Sequence, residues 1–106
     1  MNDPTYIESA RKLAERLMKE EKTDMDRVKL AFRLATGRMP TKAEAGVLIQ
    51  LHDSQLQAYR ADDAAAVKLL EVGEAPRDKS LDSADLAAWT MVSSTILNLD
   101  ETMTKG

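Results

Sequence analysis

One run of fourteen residues without a charged side chain, Leu86 to Leu99, most constrains the fold of this chain. A helix that crosses a bilayer needs about 20 apolar residues, so this run is too short for membrane insertion. Its apolar residues, which include Trp89, lie on nearly every side of a helix, and such a helix has to be covered by other elements. The run therefore predicts a buried helix at the centre of a small bundle, with Asp82 and Asp85 at its start.

Four other helices, and no strand, are predicted from apolar residues that recur at helical spacing. The second of these is expected to end at about Thr36, and the fourth, a short one, at Gly73. Each helix begins at a capping signal. These signals are Asp3-Pro4, Thr23 with Asp26, the capping box Thr41–Glu44, and Asp62 or Asp63.

The chain of 106 residues, 43% of them apolar, is long enough for one domain and too short for two separate cores. It contains four aromatic residues, so the core has to be mainly aliphatic. We predict an all-α fold, a compact bundle of about five helices in which residues 1–106 form one domain and the C-terminal helix is central. The polar segment from Gly73 to Asp82 is the predicted loop, where mobility or proteolysis is expected.

The stretch FRLATGRMPTKAE, residues 32–44, predicts a corner between two helices. Gly37 is expected to end the first of them, because glycine adopts the left-handed conformation at no steric cost. Pro40 cannot continue a helix, and Thr41 with Glu44 starts the next one. The segment therefore has a complete structural explanation, whether or not it also binds a partner.

Basic residues are concentrated around this corner, while the rest of the chain is acidic. Between Arg27 and Ala43 there is no acidic residue, and the remainder carries 10 basic and 18 acidic residues. A solvated helix face is the default interpretation, and docking to an acidic surface is the alternative. Nucleic-acid binding is not favoured, because it usually requires a broad positive face. The basic candidates are Arg27, Lys29, Arg33, Arg38 and Lys42.

No set of residues for catalysis, metal binding or cofactor binding is found in the sequence. The chain has no cysteine and one histidine, His52, so it offers no nitrogen and sulfur ligand set for zinc or copper. Neighbouring helical residues point about 100° apart, so His52 and Asp53 are not expected to face each other. His52 is interpreted as a surface or half-buried structural residue. Without a nucleophile and base, the chain is not expected to be an enzyme.

Acidic residues at the end of the chain predict an ion pair with the corner. Asp100 and Glu101 are expected just past the end of the last helix, where the helix dipole disfavours anions. We predict a salt bridge or hydrogen bond from Asp100, or from Asn98, to Arg33 or Arg38.

Three stretches of the chain resemble a known domain. NDPTYIESARKLAERL, FRLATGRMPTKAE and AWTMVSSTILNLDE are similar to the C-terminal part of a planctomycete-specific domain of unknown function. That domain usually forms the C-terminal end of large exported proteins that carry cytochrome-c-type domains near their N-termini. The resemblance extends from about Asn2 to Thr104 and weakens between Tyr59 and Asp82.

The resemblance implies that Met1 stands in for an internal residue, so the chain is expected to be a domain taken from a longer protein exported to the periplasm or cell envelope. The favoured function is a non-catalytic C-terminal packing or interaction module, which binds the rest of its parent chain or another protein. A homodimer through an exposed apolar face is a further possibility. The alternative is a stand-alone helical adaptor or regulatory protein that binds a partner helix in a groove.

Overall fold

Helices are the regular elements of the computed structural model, which describes residues 4–105 and the side chains of residues 4–99. The C-terminal helix packs against all four of the others, so the all-α fold with a central last helix is confirmed. In the described residues, no helix combines the length and hydropathy that crossing a membrane requires. The helices are α1 (Pro4–Glu20), α2 (Asp24–Thr36), α3 (Lys42–Ala61), α4 (Asp63–Leu70) and α5 (Ser83–Lys105).

The core is built around the apolar circumference of α5. Leu86, Trp89, Val92 and Ile96 have no exposed surface. Each such side chain contributes about 1.5–3 kcal/mol through its burial. The Thr90 hydroxyl lies among them and donates to the Leu86 carbonyl oxygen at 2.7 Å, so this buried polar group is satisfied within the helix. Buried side chains of the other helices complete the core: Leu17, Val28, Phe32, Leu48 and Leu70.

The predicted helix starts are confirmed where the structure describes them. Four side-chain oxygens accept a hydrogen bond from the backbone N–H three residues on, as N-cap residues do. Glu44 also accepts from the Thr41 backbone N–H at 2.8 Å, which completes the predicted capping box. Asp3 lies outside the described residues. The four capping residues are Thr23, Thr41, Asp62 and Asp82.

Two predicted helix ends differ from the structure. The short fourth helix ends at Leu70, before Gly73. The last helix continues to Lys105, so the expectation that Asp100 and Glu101 lie past its end was wrong. No glycine or proline occurs between Leu86 and Lys105, and nothing in this stretch therefore stops a helix. The side chain of Asp100 is outside the described residues, so its ion pair with an arginine stays a prediction.

The loop between α4 and α5 is held by side chains of α1. The Glu8 carboxylate accepts from the backbone N–H groups of Glu74 and Ala75 at 3.2 and 2.8 Å. The buried Arg11 side chain donates to the Ala75 carbonyl oxygen at 2.6 Å, and Lys19 pairs with Asp78 at 2.7 Å. These contacts argue against the mobility expected for this segment, because its backbone groups are satisfied by a rigid helix.

Gly37 and Gly73, which both have positive φ, are expected to respond differently to alanine. At Gly37 (φ +80°) a Cβ would meet open space, so Gly37→Ala should cost about 1–2 kcal/mol for the left-handed backbone alone. At Gly73 (φ +96°) a Cβ would lie 2.6 Å from a Glu8 carboxylate oxygen that already holds the loop. Gly73→Ala should therefore cost about 1–3 kcal/mol more. Urea unfolding of both variants measures the difference, and equal free energies of unfolding would contradict this account of the loop.

Candidate functional site

His52 lies where α2, α3 and α5 meet, and three aspartates surround its ring. Its Nε2 is 2.8 Å from Asp85 Oδ1, and its Nδ1 is 3.0 Å from Asp53 Oδ1. Asp24 Oδ2 is 3.8 Å from the same Nδ1. We call Asp24, His52, Asp53 and Asp85 the histidine cluster. Residue His52 is only 3% exposed, whereas the side chains of Asp24 and Asp53 are 45% and 64% exposed.

The position of His52 follows from the buried face of α3. Ala45, Leu48 and His52 recur at helical spacing, and all three are buried. The His52 ring packs on the Trp89 indole of α5, with 4.2 Å between the ring centroids. The expectation of a surface or half-buried histidine was therefore wrong. The signal for its burial was this spacing, which places His52 on the same face as Leu48.

The expectation that His52 and Asp53 would not face each other was also wrong. Their Cβ atoms point in different directions, but Nδ1 and the carboxylate lie far enough from Cβ for side-chain rotation to bring them together. Burial lowers the pKa of His52, but the hydrogen bonds to Asp85 and Asp53 and the charge of Asp24 outweigh burial. The net effect raises the pKa above its ordinary value of 6.5. The protonated ring donates to both carboxylates.

Two sequence candidates belong to the surroundings of this cluster. Trp89 is fully buried, so it is a structural residue and not part of an exposed surface. Arg27 points inward: its Nε donates to the Glu21 carbonyl oxygen at 2.9 Å, and a guanidinium nitrogen is 3.7 Å from Asp85 Oδ2. Its guanidinium carbon is also 5.8 Å from the Trp89 ring centroid, within cation–π range. Arg27 is thus separate from the outward-facing basic residues.

A second feature is an apolar groove between α2, α3 and the later part of α5. Val47 is 64% exposed and Leu99 is 42% exposed, and the two belong to one contiguous apolar patch, which is more informative than single exposed apolar side chains. The groove has a volume of about 430 Å³, within the range of roughly 300–1,000 Å³ seen for ligand pockets. Glu44 lies at its rim. Its apolar lining, which we call the apolar groove, consists of Phe32, Ala43, Val47, Leu48, Leu99 and the side chain of Thr95.

The predicted corner forms one edge of this groove. Gly37 has φ +80° and donates its N–H to the Arg33 carbonyl oxygen at 2.9 Å, as expected for a glycine that ends a helix. Arg38 covers the Phe32 ring at 4.7 Å and forms two parallel hydrogen bonds with the Glu44 carboxylate, both 2.9 Å. Glu44 is therefore a partner of Arg38 that the sequence interpretation did not include.

The other basic candidates face solvent. Lys29, Arg33 and Lys42 are exposed, and none of them forms an ion pair with a residue whose side chain the structure describes. Asn98 is exposed on α5 and lines a different depression, beside Tyr59 and Ile7. Lys29 and Arg33 line a separate depression with Glu21 and Asp26, whereas Lys42 directly precedes Ala43 of the apolar groove.

Sequence reasoning did not find the aspartates that converge on His52. Asp85 was interpreted as a helix-start residue, and Asp24 and Asp85 do lie in the first turns of α2 and α5. Because these helix starts meet the middle of α3, the carboxylates reach the histidine across three elements. The spacing of residues along one helix does not predict which side chains of other helices will lie beside it.

The comparisons with known proteins concern the first half of the chain. A family model described as PSD1, protein of unknown function (DUF1553), matches residues 1–52. The matched segment includes α1, α2, the Gly37 corner and α3 as far as His52. Neither a curated protein nor a solved structure matches the chain. The family match supports the coarser part of the resemblance, a domain of unknown function.

The ion pair at the groove rim predicts a specific loss of stability in acid. The Arg38 guanidinium, with the Thr41 N–H, lowers the pKa of Glu44 from 4.5 to about 2. A carboxylate with a lowered folded-state pKa stabilises the fold above its unfolded pKa and loses that contribution as the pH falls. The stability difference between wild type and Glu44→Gln should therefore be largest above pH 4.5 and shrink as the pH approaches 2.

Urea unfolding from pH 6 to pH 2 measures this difference. Glu71→Gln is the matched control, because Glu71 is exposed and has no ion pair with a described residue. Its difference from wild type should change less over the same range. A Glu44→Gln difference that stays constant with pH would show that the Arg38–Glu44 pair does not stabilise the fold.

Proposed function

We propose that this chain is a non-catalytic helical module that docks onto another part of a larger protein through the apolar groove. The occupant is an amphipathic helix with an apolar stripe flanked by acidic side chains. The single observation that carries the proposal is the groove itself, where Val47 is 64% exposed beside the basic corner. Helix-in-groove docking uses this combination of an apolar channel and a charged rim.

Charge complementarity supports the acidic flanks of the partner helix. Lys42 directly precedes Ala43 of the groove lining, is exposed and has no acidic partner among the described side chains, so it is available to a negative surface. Lys29 and Arg33 are also exposed without an ion pair to a described side chain, and they extend the positive charge along α2 beside a separate depression. Arg38 is already paired with Glu44 and mainly shapes the groove edge over Phe32. Complementary rim charges speed association and select the partner, while the apolar stripe supplies most of the affinity.

The surroundings of His52 support a non-catalytic function. Both ring nitrogens face carboxylates, and the residue is 3% exposed, so the ring has no hydroxyl or thiol to activate and little access to substrate. A general base has to reach the proton that it removes. We therefore propose binding and packing as the activity of the domain, and no reaction.

The parent protein that we propose is a large exported protein with cytochrome-c-type domains. The three stretches that resemble the C-terminal part of a planctomycete-specific domain support this context. The family match over residues 1–52 supports the coarser assignment to a domain of unknown function. In this arrangement the rest of the parent chain supplies the partner helix.

The docking proposal is tested with two synthetic helices of 18 residues that share one leucine stripe. One carries glutamates and the other lysines beside the stripe. We expect the glutamate peptide to bind, to shift the backbone amide signals of Ala43, Val47 and Leu48, and to bind more weakly at high salt. Val47→Glu should weaken binding about ten-fold or more, which corresponds to about 1.4 kcal/mol. Since Val47 is 64% exposed, this variant should remain folded.

Gln57→Glu is the control, because it adds the same charge to an exposed position of α3 outside the groove. It should leave the affinity nearly unchanged. Equal binding of the two peptides, or no change with Val47→Glu, would contradict the proposal. A concentration-dependent dimer that Val47→Glu converts to a monomer would also contradict it, because a second copy of the chain would then cover the groove.

The alternative is a stand-alone adaptor that binds a helix of another protein in the same groove. The gene sequence distinguishes this alternative from the proposed module. Reading the genomic frame upstream of the Met1 codon decides between them. An open frame that continues into a Cys-x-x-Cys-His motif supports the module. A stop codon and ribosome-binding site directly before Met1 supports the adaptor.

A further inference from the structure

We propose that Asp24, His52 and Asp53 bind a divalent transition-metal ion, with zinc as the first candidate. The three side chains offer one imidazole nitrogen and two carboxylate oxygens, and these atoms all lie within 4.8 Å of one another. The proposal is independent of the docking function, because none of the three residues lines the apolar groove.

The orientation of the His52 ring favours a cation at Nδ1. Asp85 accepts a hydrogen bond from Nε2 at 2.8 Å, so a metal ion that replaces the Nδ1 proton meets a lone pair directed at Asp53. A lone pair facing a carboxylate oxygen at 3.0 Å is repulsive unless a cation lies between them. A proton on Nδ1 neutralises the repulsion between Nδ1 and Asp53 only. A metal ion would also bind the Asp24 carboxylate, whose Oδ2 is 3.8 Å from Nδ1.

Asp85 has the position of an outer-shell partner in known metal sites. A histidine that binds a metal through one ring nitrogen almost always donates its other N–H to a carboxylate, a carbonyl oxygen or water. Here the carboxylate comes from α5 and the ring is packed on Trp89, so the direction of Nδ1 is held by two independent contacts. The imidazole therefore requires no reorientation to bind an ion.

The distances suit a small ion. Donor atoms about 2.0–2.2 Å from zinc in tetrahedral geometry are roughly 3.2–3.6 Å apart. The Nδ1 to Asp53 and Nδ1 to Asp24 separations, 3.0 and 3.8 Å, lie on either side of this range. The Asp24 and Asp53 side chains are 45% and 64% exposed, so they are free to adjust and leave a remaining position open to water.

Ligand type and charge both favour a divalent transition metal. Imidazole binds zinc and its neighbours in preference to magnesium or calcium, and carboxylates accept either class. With the ring neutral, as metal binding through Nδ1 requires, the three carboxylates of the histidine cluster outnumber the single positive charge of nearby Arg27, which leaves two negative charges in excess. An ion bound there would join the first turn of α2 to the middle of α3.

Calorimetric titration of the untagged chain with zinc chloride tests the proposal. We expect one ion per chain in a saturable isotherm, and an affinity reduced about ten-fold or more in Asp24→Asn and in Asp53→Asn. Asp26→Asn is the matched control, since Asp26 lies in the same turn of α2 and outside the ligand set, and it should bind as wild type does. Asp85→Asn should lose affinity by about 10–100-fold, as outer-shell changes do.

Nuclear magnetic resonance of the histidine ring provides a second measurement. The chain has one histidine, so every imidazole signal belongs to His52. Zinc should move the ¹⁵N resonance of Nδ1 much more than that of Nε2. The proposal would be overturned by no saturable binding, by equal losses in Asp24→Asn and Asp26→Asn, or by binding that leaves the Nδ1 resonance in place. Magnesium that binds as tightly as zinc would also overturn it, because the site would then be a general acidic surface.

Discussion

The burial of α5 on every side is the constraint on which the rest of this structure depends. A helix with apolar residues around its whole circumference has no face to expose to water, so each neighbouring helix covers one part of it. That requirement sets the direction in which the apolar faces of the other helices point. It also explains how a chain with four aromatic residues forms a stable core, since Leu86, Trp89, Val92 and Ile96 are all enclosed.

Enclosing α5 also places polar groups where water is scarce, and the fold provides partners for several of them, although Trp89 Nε1 and Ser93 Oγ have no hydrogen-bond partner among the described residues. Asp85, near the start of α5, meets the buried His52, and Arg27 approaches from α2. On the other side, α1 contributes Glu8 and the buried Arg11 to the backbone of the loop that leads into α5. Both arrangements join elements distant in sequence, and removing one partner would leave a buried polar group unsatisfied.

The sequence predicted the features that depend on neighbouring residues. Caps at Thr23, Thr41 and Asp82 and the glycine corner at Gly37 are local signals, and all were found. The central place of α5 was also predictable, because a helix that is apolar on all sides is stable only when other elements cover it.

The missed features depend on how helices meet. Arg11 lies one turn after Ile7 on the apolar side of α1, yet its burial becomes understandable only when the carbonyl oxygens of the loop are in place. His52 is similar: its spacing with Leu48 indicates burial, but not three aspartates from three helices. The continuation of α5 past Leu99 was missed for another reason, because acidic residues were interpreted as a stop when no helix-breaking residue was present.

The two candidate sites lie at opposite ends of one helical hairpin. At the closed end of the α2–α3 pair, Phe32 and Ala43 line the apolar groove beside the Gly37 corner. At the open end, Asp24 faces His52. None of Asp24, His52 and Asp53 lines the groove, whose lining also includes Thr95 and Leu99 of α5. A substitution in one site therefore leaves the side chains of the other in place, and the two proposals stand or fall separately.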